Sequence, residues 1–277
     1  MTVAALLVTS NSQRWIALTL ETLKAQTQQP DEIVVIDDNS TDDTRRIIHD
    51  VLGGTATVVR ATSRAEDITT RIAHNFHQGI RACVDHDVVV LGDHDDLWHP
   101  DRIARQAKRI GANVEMTAAD GRLIDVTGAP KGGTLRDAFP VPADWAGLDA
   151  RAQTEAAVRR SIATGGASAV APRAFADLTI PAGWLHDRWW SLVATVRGGM
   201  DLDPEALIDY RVSETQEVGL SRGRQAQSAS RRLVSAAQHA PEVVDKLVDL
   251  STRLRPLATE AGARKALAWP ALVRTLA

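Results

Sequence analysis

Three carboxylates stand within four positions at Asp93, Asp95 and Asp96, directly after the apolar run Val88-Val89-Val90-Leu91. β-Branched residues in such a run read as a buried strand. The acids then fall at its carboxyl end, where open α/β sheets hold their ligands. Side chains two apart on an extended segment share a face, so Asp93 and Asp95 can converge on one target. Crowded carboxylates repel unless a cation or hydrogen-bond donors offset them, and hard oxygen ligands suit Mg²⁺ or Mn²⁺. An ion held this way bridges to phosphates. The plainer reading is an acidic strand-to-helix turn, with Asp96 or His99 capping the helix after Pro100.

A fourth acid, Asp187, lies in Gly183-Trp184-Leu185-His186-Asp187-Arg188-Trp189-Trp190, which opens a helix running to about Arg197. In a first helical turn an acid complements the helix dipole. In a Trp-lined cleft, burial would instead lift its pKa toward the range of a general base. Both readings stand on the sequence.

The elements that must position these residues alternate regularly. Strands at residues 3–8, 32–36, 57–60 and 88–91 are separated by helical stretches marked by Trp15, Ile16, Leu20 and Leu23, then Ile47, Ile48, Val51 and Leu52, then residues 67–83. This alternation predicts an α/β fold, a mostly parallel sheet with helices on both faces. Three strands end in polar or acidic residues (Thr9-Ser10-Asn11, Asp37-Asp38 and Asp93-His94-Asp95), as a nucleotide-binding half requires. No Gly-x-Gly-x-x-Gly or Walker-type loop is present. Residues 114–118 and 123–126 read as strands around an Asp120-Gly121 turn. The Gly- and Pro-rich stretch 127–147 reads as a mobile loop, a lid or surface filler. The small residues from Ala163 to Val170, including Gly166, predict a strand that something approaches closely.

The 277 residues are 44% hydrophobic and 24% charged, the balance of an ordinary globular protein. The lone Cys83 reads as a buried thiol rather than a nucleophile. Apolar runs are too short to span a bilayer, and the amino terminus lacks signal-peptide features; the cytoplasm is expected. Residues 222–277 carry ten Lys/Arg against four Asp/Glu, and residues 1–221 carry 22 against 31. A basic tail on an acidic body suits self-docking, self-association or peripheral contact with an anionic membrane, and it gives no support to nucleic-acid binding. The division expected is a body, 1–221, and a helical C-terminal appendage, 222–277, removable without unfolding the body.

In order along residues 3–220, the chain resembles a family 2 glycosyltransferase of the GT-A fold, closest to the rhamnosyltransferase-like branch. The likeness is carried by Leu7-Val8-Thr9-Ser10-Asn11, by Pro30-Asp31-Glu32-Ile33-Val34-Val35-Ile36-Asp37-Asp38-Asn39-Ser40, by Leu91-Gly92-Asp93-His94-Asp95-Asp96-Leu97-Trp98 and by Trp184-Leu185-His186-Asp187. The resemblance implies transfer of a sugar, with inversion, from a nucleotide-diphospho-sugar to a saccharide or lipid-linked acceptor, in cell-surface polysaccharide or glycoconjugate synthesis. It implies that Thr9 and Asp38 contact base and ribose, that Asp93 lies near the ribose or donor sugar, and that Asp95 binds the divalent metal. Asp187 would be the catalytic base. Arg71 suits the phosphates, since an Arg fork matches phosphate geometry, and exposed helix arginine is its plainer reading. Asn11, Trp98 and Gly166 complete the expected donor site.

Two positions depart from the family pattern. Ser10 stands where an aromatic residue often stacks on the base. Val212-Ser213-Glu214-Thr215 follows Tyr210-Arg211 where the family usually has a metal-ligating histidine, and Glu214 or water is left to replace it. A non-catalytic sugar-nucleotide-binding or scaffold protein of the same fold is the alternative.

Overall fold

The structure is a computed structural model describing residues 1–213 and 243–276. Its first half is β1 (Val3–Thr9), α1 (Ile16–Lys24), β2 (Glu32–Asp37), α2 (Thr44–Leu52), β3 (Thr57–Arg60), α3 (Ile68–Ala82) and β4 (Val88–Asp93). The second half holds β5 (Leu97–Trp98), α4 (Arg102–Arg109), β6 (Met116–Ile124), β7 (Pro130–Thr134), α5 (Leu135–Ala138), α6 (Ala150–Arg159), β8 (Ser168–Val170), α7 (His186–Arg197) and β9 (Met200–Arg211). The strands form one mostly parallel sheet in the order β3-β2-β1-β4-β8-β6-β9-β5, with β7 paired to β6.

Strand β1 shows why the sheet is buried on both faces. Its residues alternate, Ala4, Leu6 and Val8 entering one core and Val3, Ala5 and Leu7 the other. The period of two along a strand assigns them. The first core also takes Phe76 and Ile80 of α3 and Trp190 of α7, and the second takes Leu20 of α1, Ile48 of α2 and Ile103 of α4. All three long apolar strands therefore end at one rim of the sheet, at Thr9, Asp37 and Asp93. That rim carries the site.

Two local expectations change. Asp120-Gly121 is not a turn: β6 runs through it, with the register against β9 shifting around Asp120. A Cβ on Gly121 would stand 2.8 Å from Ile208 and 2.9 Å from Leu135, so the glycine permits close packing instead of a reversal. The stretch 127–147 contains β7 and α5, the latter closed by a Thr134–Asp137 capping box. Pro270 sits in the opening turn of its helix, where its missing N–H costs nothing.

Residues 243–276 are helical through a π-turn at Leu250–Leu254 and helices α8 (Ala261–Ala266) and α9 (Trp269–Leu276). They pack on α6 and α7, and the Trp184 indole donates to Asp249 Oδ2 at 2.9 Å. Leu247, Leu250, Leu254, Leu267 and Leu272 are buried in the same core as Trp184 and Trp189. Five buried leucines are worth about 10 kcal/mol, comparable with the whole stability of a typical domain. This packing argues against a removable tail. A chain ending at Ser221 is expected to lose its cooperative thermal transition; a wild-type Tm for it would show that the body stands alone.

Candidate active site

A cavity of about 330 Å³ opens at the rim between β1, α3 and the segment after β4. Thr9, Asn11, Asp38, Asp93 and Asp95 all line it, as does Ser10. The ends of β1 and β2 are locked together beneath it. The Thr9 carbonyl accepts the Asp38 N–H at 2.7 Å, and the Thr9 hydroxyl donates to Ser12 Oγ at 2.7 Å. Asn11 and Asn39 hold positive φ values of 46° and 56°, a region that asparagine enters more readily than most residues. Asn11 is committed to this frame, its Oδ1 accepting the Thr41 N–H at 2.9 Å. Arg71 does not itself line the cavity; its Nε donates to Asp38 Oδ2 at 3.0 Å, so the guanidinium orients that acid.

The acids converge through a short Gly165–Ala167 turn. Gly165 N–H donates to Asp187 Oδ2 at 2.9 Å, and the neighbouring Gly166 backbone lies against Asp93. A Cβ on Gly166 would stand 2.6 Å from Asp93 Oδ2 and 2.7 Å from Asp96 Oδ2, so glycine alone lets the backbone reach both. Gly166 thus supports the acids from behind. The Arg188 N–H donates to the other Asp187 oxygen at 2.6 Å.

Burial pushes Asp93 up to about 7, and Asp95 and Asp187 add to the shift. Burial also raises Asp187, while the Gly165 and Arg188 N–H groups oppose it. Asp96 is lifted well above the usual carboxylate range by burial and then by its acidic neighbours. It is not a helix cap: its Oδ1 accepts the Arg211 N–H at 3.0 Å, fastening β9. Beneath them Arg102 is fully buried, hydrogen-bonded to Gln106 and the Leu91 carbonyl, and lowered to about 9 by burial against the pull of Asp96 and Asp93.

Because Asp93 rises from an ordinary 3.8 to about 7, the folded chain binds more protons than the unfolded one between those values. Stability therefore falls as pH rises through that window. Asp93→Asn removes this titration. In metal-free buffer its Tm relative to wild type is expected to increase from about pH 5 to about pH 8, and a pH-independent difference would contradict the assignment.

Trp98 corrects an expectation. It is buried in the second core, with its ring against Gly92 and 3.9 Å from the Arg102 guanidinium, and it does not line the cavity. The extended turn after Asp96 points the ring inward. Arg102, Gly165 and Asn75 were not singled out by the sequence, although Arg102 and Gln106 at i and i+4 mark a buried polar edge on α4.

The acidic cluster fits a divalent cation. Asp95 lines the cavity and takes no side-chain hydrogen bond among the described residues, whereas Asp96 and Asp187 accept backbone N–H groups. Among the described residues no three His, Cys, Asp or Glu side chains could hold a metal alone. One or two carboxylates completed by substrate phosphates and water is, however, how Mg²⁺ and similar ions are commonly held. Glu214 lies outside the described residues.

The fold is shared with solved glycosyltransferase structures. S. aureus TarS 1–349 in complex with UDP-GlcNAc superposes with a TM-score of 0.60 at 14% identity, covering 99% of this chain and 72% of that one. The mannosyltransferase PcManGT from Pyrobaculum calidifontis, in complex with GDP-Man and Mn²⁺, gives 0.57 at 19% identity, with 99% and 72% covered. Glucosyl-3-phosphoglycerate synthase from Mycobacterium tuberculosis, in complex with Mn²⁺, UDP and glucosyl-3-phosphoglycerate, gives 0.53 at 15%, with 90% and 79% covered. The chain spans 43% of the longer TarS chain. No curated protein matches it in sequence. The family model described as glycosyl transferase family 2 matches residues 5–152, more than half of the sequence and all of the rim from Thr9 to Asp96, and the chain belongs to that family.

Proposed function

We propose that this protein is an inverting hexosyltransferase, moving a sugar from a nucleotide-diphospho-sugar to a saccharide or lipid-linked hydroxyl in surface-glycan synthesis. The observation that carries the reading is that the Gly165–Gly166 backbone lies against both Asp187 and Asp93, the positions that resemble the acceptor-side and donor-side acids of a family 2 enzyme. Thr9, Asp38 and Arg71 take the nucleoside side, Asp93 the donor sugar, and Asn11 and Gly166 position them. Asp95 would hold Mn²⁺ or Mg²⁺, and two of the fold neighbours are complexes that contain Mn²⁺ together with GDP-Man or UDP. When bound, such an ion neutralises charge on the leaving diphosphate.

In this mechanism Asp187 accepts the proton of the acceptor hydroxyl as its oxygen attacks the anomeric carbon. The bond from that carbon to the diphosphate breaks, and the nucleoside diphosphate leaves with the electron pair. A single displacement inverts configuration. The raised pKa of Asp187 suits it to this role, because a base works best near the operating pH. We take residues 1–221 as the catalytic body and 222–277, of which 243–276 are described, as a C-terminal segment whose basic residues serve self-association or peripheral contact with an anionic membrane on the cytoplasmic side. No helix among the described residues is long and apolar enough to cross a membrane.

Thermal melts with a panel of nucleotide-sugars test the binding half of the proposal, since a ligand of the native state must raise Tm. One donor is expected to raise Tm in the presence of Mn²⁺ and much less with a chelator. No shift with any donor would refute the reading. Binding without turnover across matched acceptors would favour the scaffold alternative, which the missing family histidine motivates.

A further inference from the structure

One polar side chain in the cavity wall has no role in the scheme above. Ile68, Ile72, Asn75 and Phe76 recur at helical spacing on α3, and all four line the cavity. Apolar residues at three of these positions make an ordinary packed stripe. Asn75 does not belong to it on packing grounds: it is 1% exposed, and neither its amide nitrogen nor its oxygen has a hydrogen-bond partner among the described residues. An unpaired buried amide is costly, and an apolar side chain of similar size would avoid that cost. The next residue is held firmly, since the His186 ring stacks on Phe76 at 3.7 Å.

Position identifies the ligand group. Asn75 lies one helical turn from Arg71, whose guanidinium holds Asp38, and on the same face of α3. Its neighbours in the wall are Val8, Ile68 and Ile72, apolar surfaces suited to the faces of a flat ring. The acids that suit a metal ion and sugar hydroxyls, Asp93 and Asp95, come from β4 and the turn after it. A carboxamide offers a donor and an acceptor side by side, the complement of a heterocycle edge that carries both. We propose that Asn75 reads the base of the donor nucleotide through such a paired contact, an inference that rests on the nucleotide-sugar reading of this cavity.

The test uses the full chain and calorimetry with UDP, GDP, ADP, CDP, dTDP and inorganic pyrophosphate, each with Mg²⁺. Wild type is expected to prefer one base. Asn75→Leu is expected to bind that nucleoside diphosphate roughly ten- to a hundredfold more weakly and to flatten the base preference. Its pyrophosphate affinity should be unchanged, and its ligand-free Tm unchanged or raised. Asn75→Ala, which cannot overpack the wall, should show the same loss of affinity. Wild-type affinity and base ranking in both variants would overturn the inference while leaving the function reading intact. So would a loss confined to nucleotide-sugars with bare diphosphates unaffected, which would turn the amide toward the sugar. Failure of wild type to bind any nucleotide would remove the function reading and this inference with it.

Discussion

Asp187→Asn is expected to lower turnover by at least about a hundredfold, equivalent to about 2.7 kcal/mol of barrier, with donor affinity little changed. The separation follows from where the side chain sits. Asp187 enters from α7 and does not line the cavity, so under the proposed function it would contribute to the acceptor step and little to donor binding. The amide keeps the shape and one acceptor for the Gly165 N–H but cannot take a proton. Because burial raises this carboxyl, activity of the wild type should rise with pH as Asp187 deprotonates, and that limb should vanish in the variant. Steady-state kinetics with a donor titration check both points. A variant with near-normal turnover would make Asp187 a helix-start residue and move the base elsewhere.

The second large effect belongs to Asp95. Asp95→Asn is expected to weaken metal-dependent nucleotide binding by at least about tenfold, because a neutral amide is a poorer partner for a hard cation. Asp96→Asn provides the contrast. Asp96 is buried, faces the Arg211 N–H, and is already pushed toward its neutral form, so an amide resembles its native state. Its metal affinity should stay near wild type. Titrating Mn²⁺ against nucleotide affinity in the three proteins separates them; equal metal affinity in wild type and Asp95→Asn would remove Asp95 as the ligand.

The parallel half of the fold was legible because strands buried on both faces must be apolar throughout, and β1, β2 and β4 are. The helix expected over 67–83 is α3 at Ile68–Ala82 for the same kind of reason, a clear apolar stripe bounded by the Asp67 cap, whose side chain accepts the Thr70 N–H. What stayed hidden depends on contacts between distant segments. Asp120-Gly121 carries the composition of a turn, and only the approach of Ile208 and Leu135 explains the glycine in a strand. Trp98 closes the acidic motif that carries the family resemblance, which made it an expected ligand contact, yet the chain direction after Asp96 puts it in the core. Asn75 is one polar residue on an apolar stripe, and its significance appears only when the cavity beside it is known. The Gly165–Gly166 turn was visible as small residues in need of a close neighbour, but the neighbours, Asp93, Asp96 and the His186–Asp187 pair, come from other elements.

The central claim is direct displacement at the anomeric carbon of a nucleotide-bound sugar. Real-time proton NMR of wild-type enzyme with Mg²⁺, the donor selected by thermal melts and a panel of simple glycoside acceptors reads that displacement in one experiment. The account predicts that donor is consumed and that the first product formed carries the anomeric configuration opposite to the donor's. A product with the donor's configuration, or no consumption of a donor that binds, would contradict it.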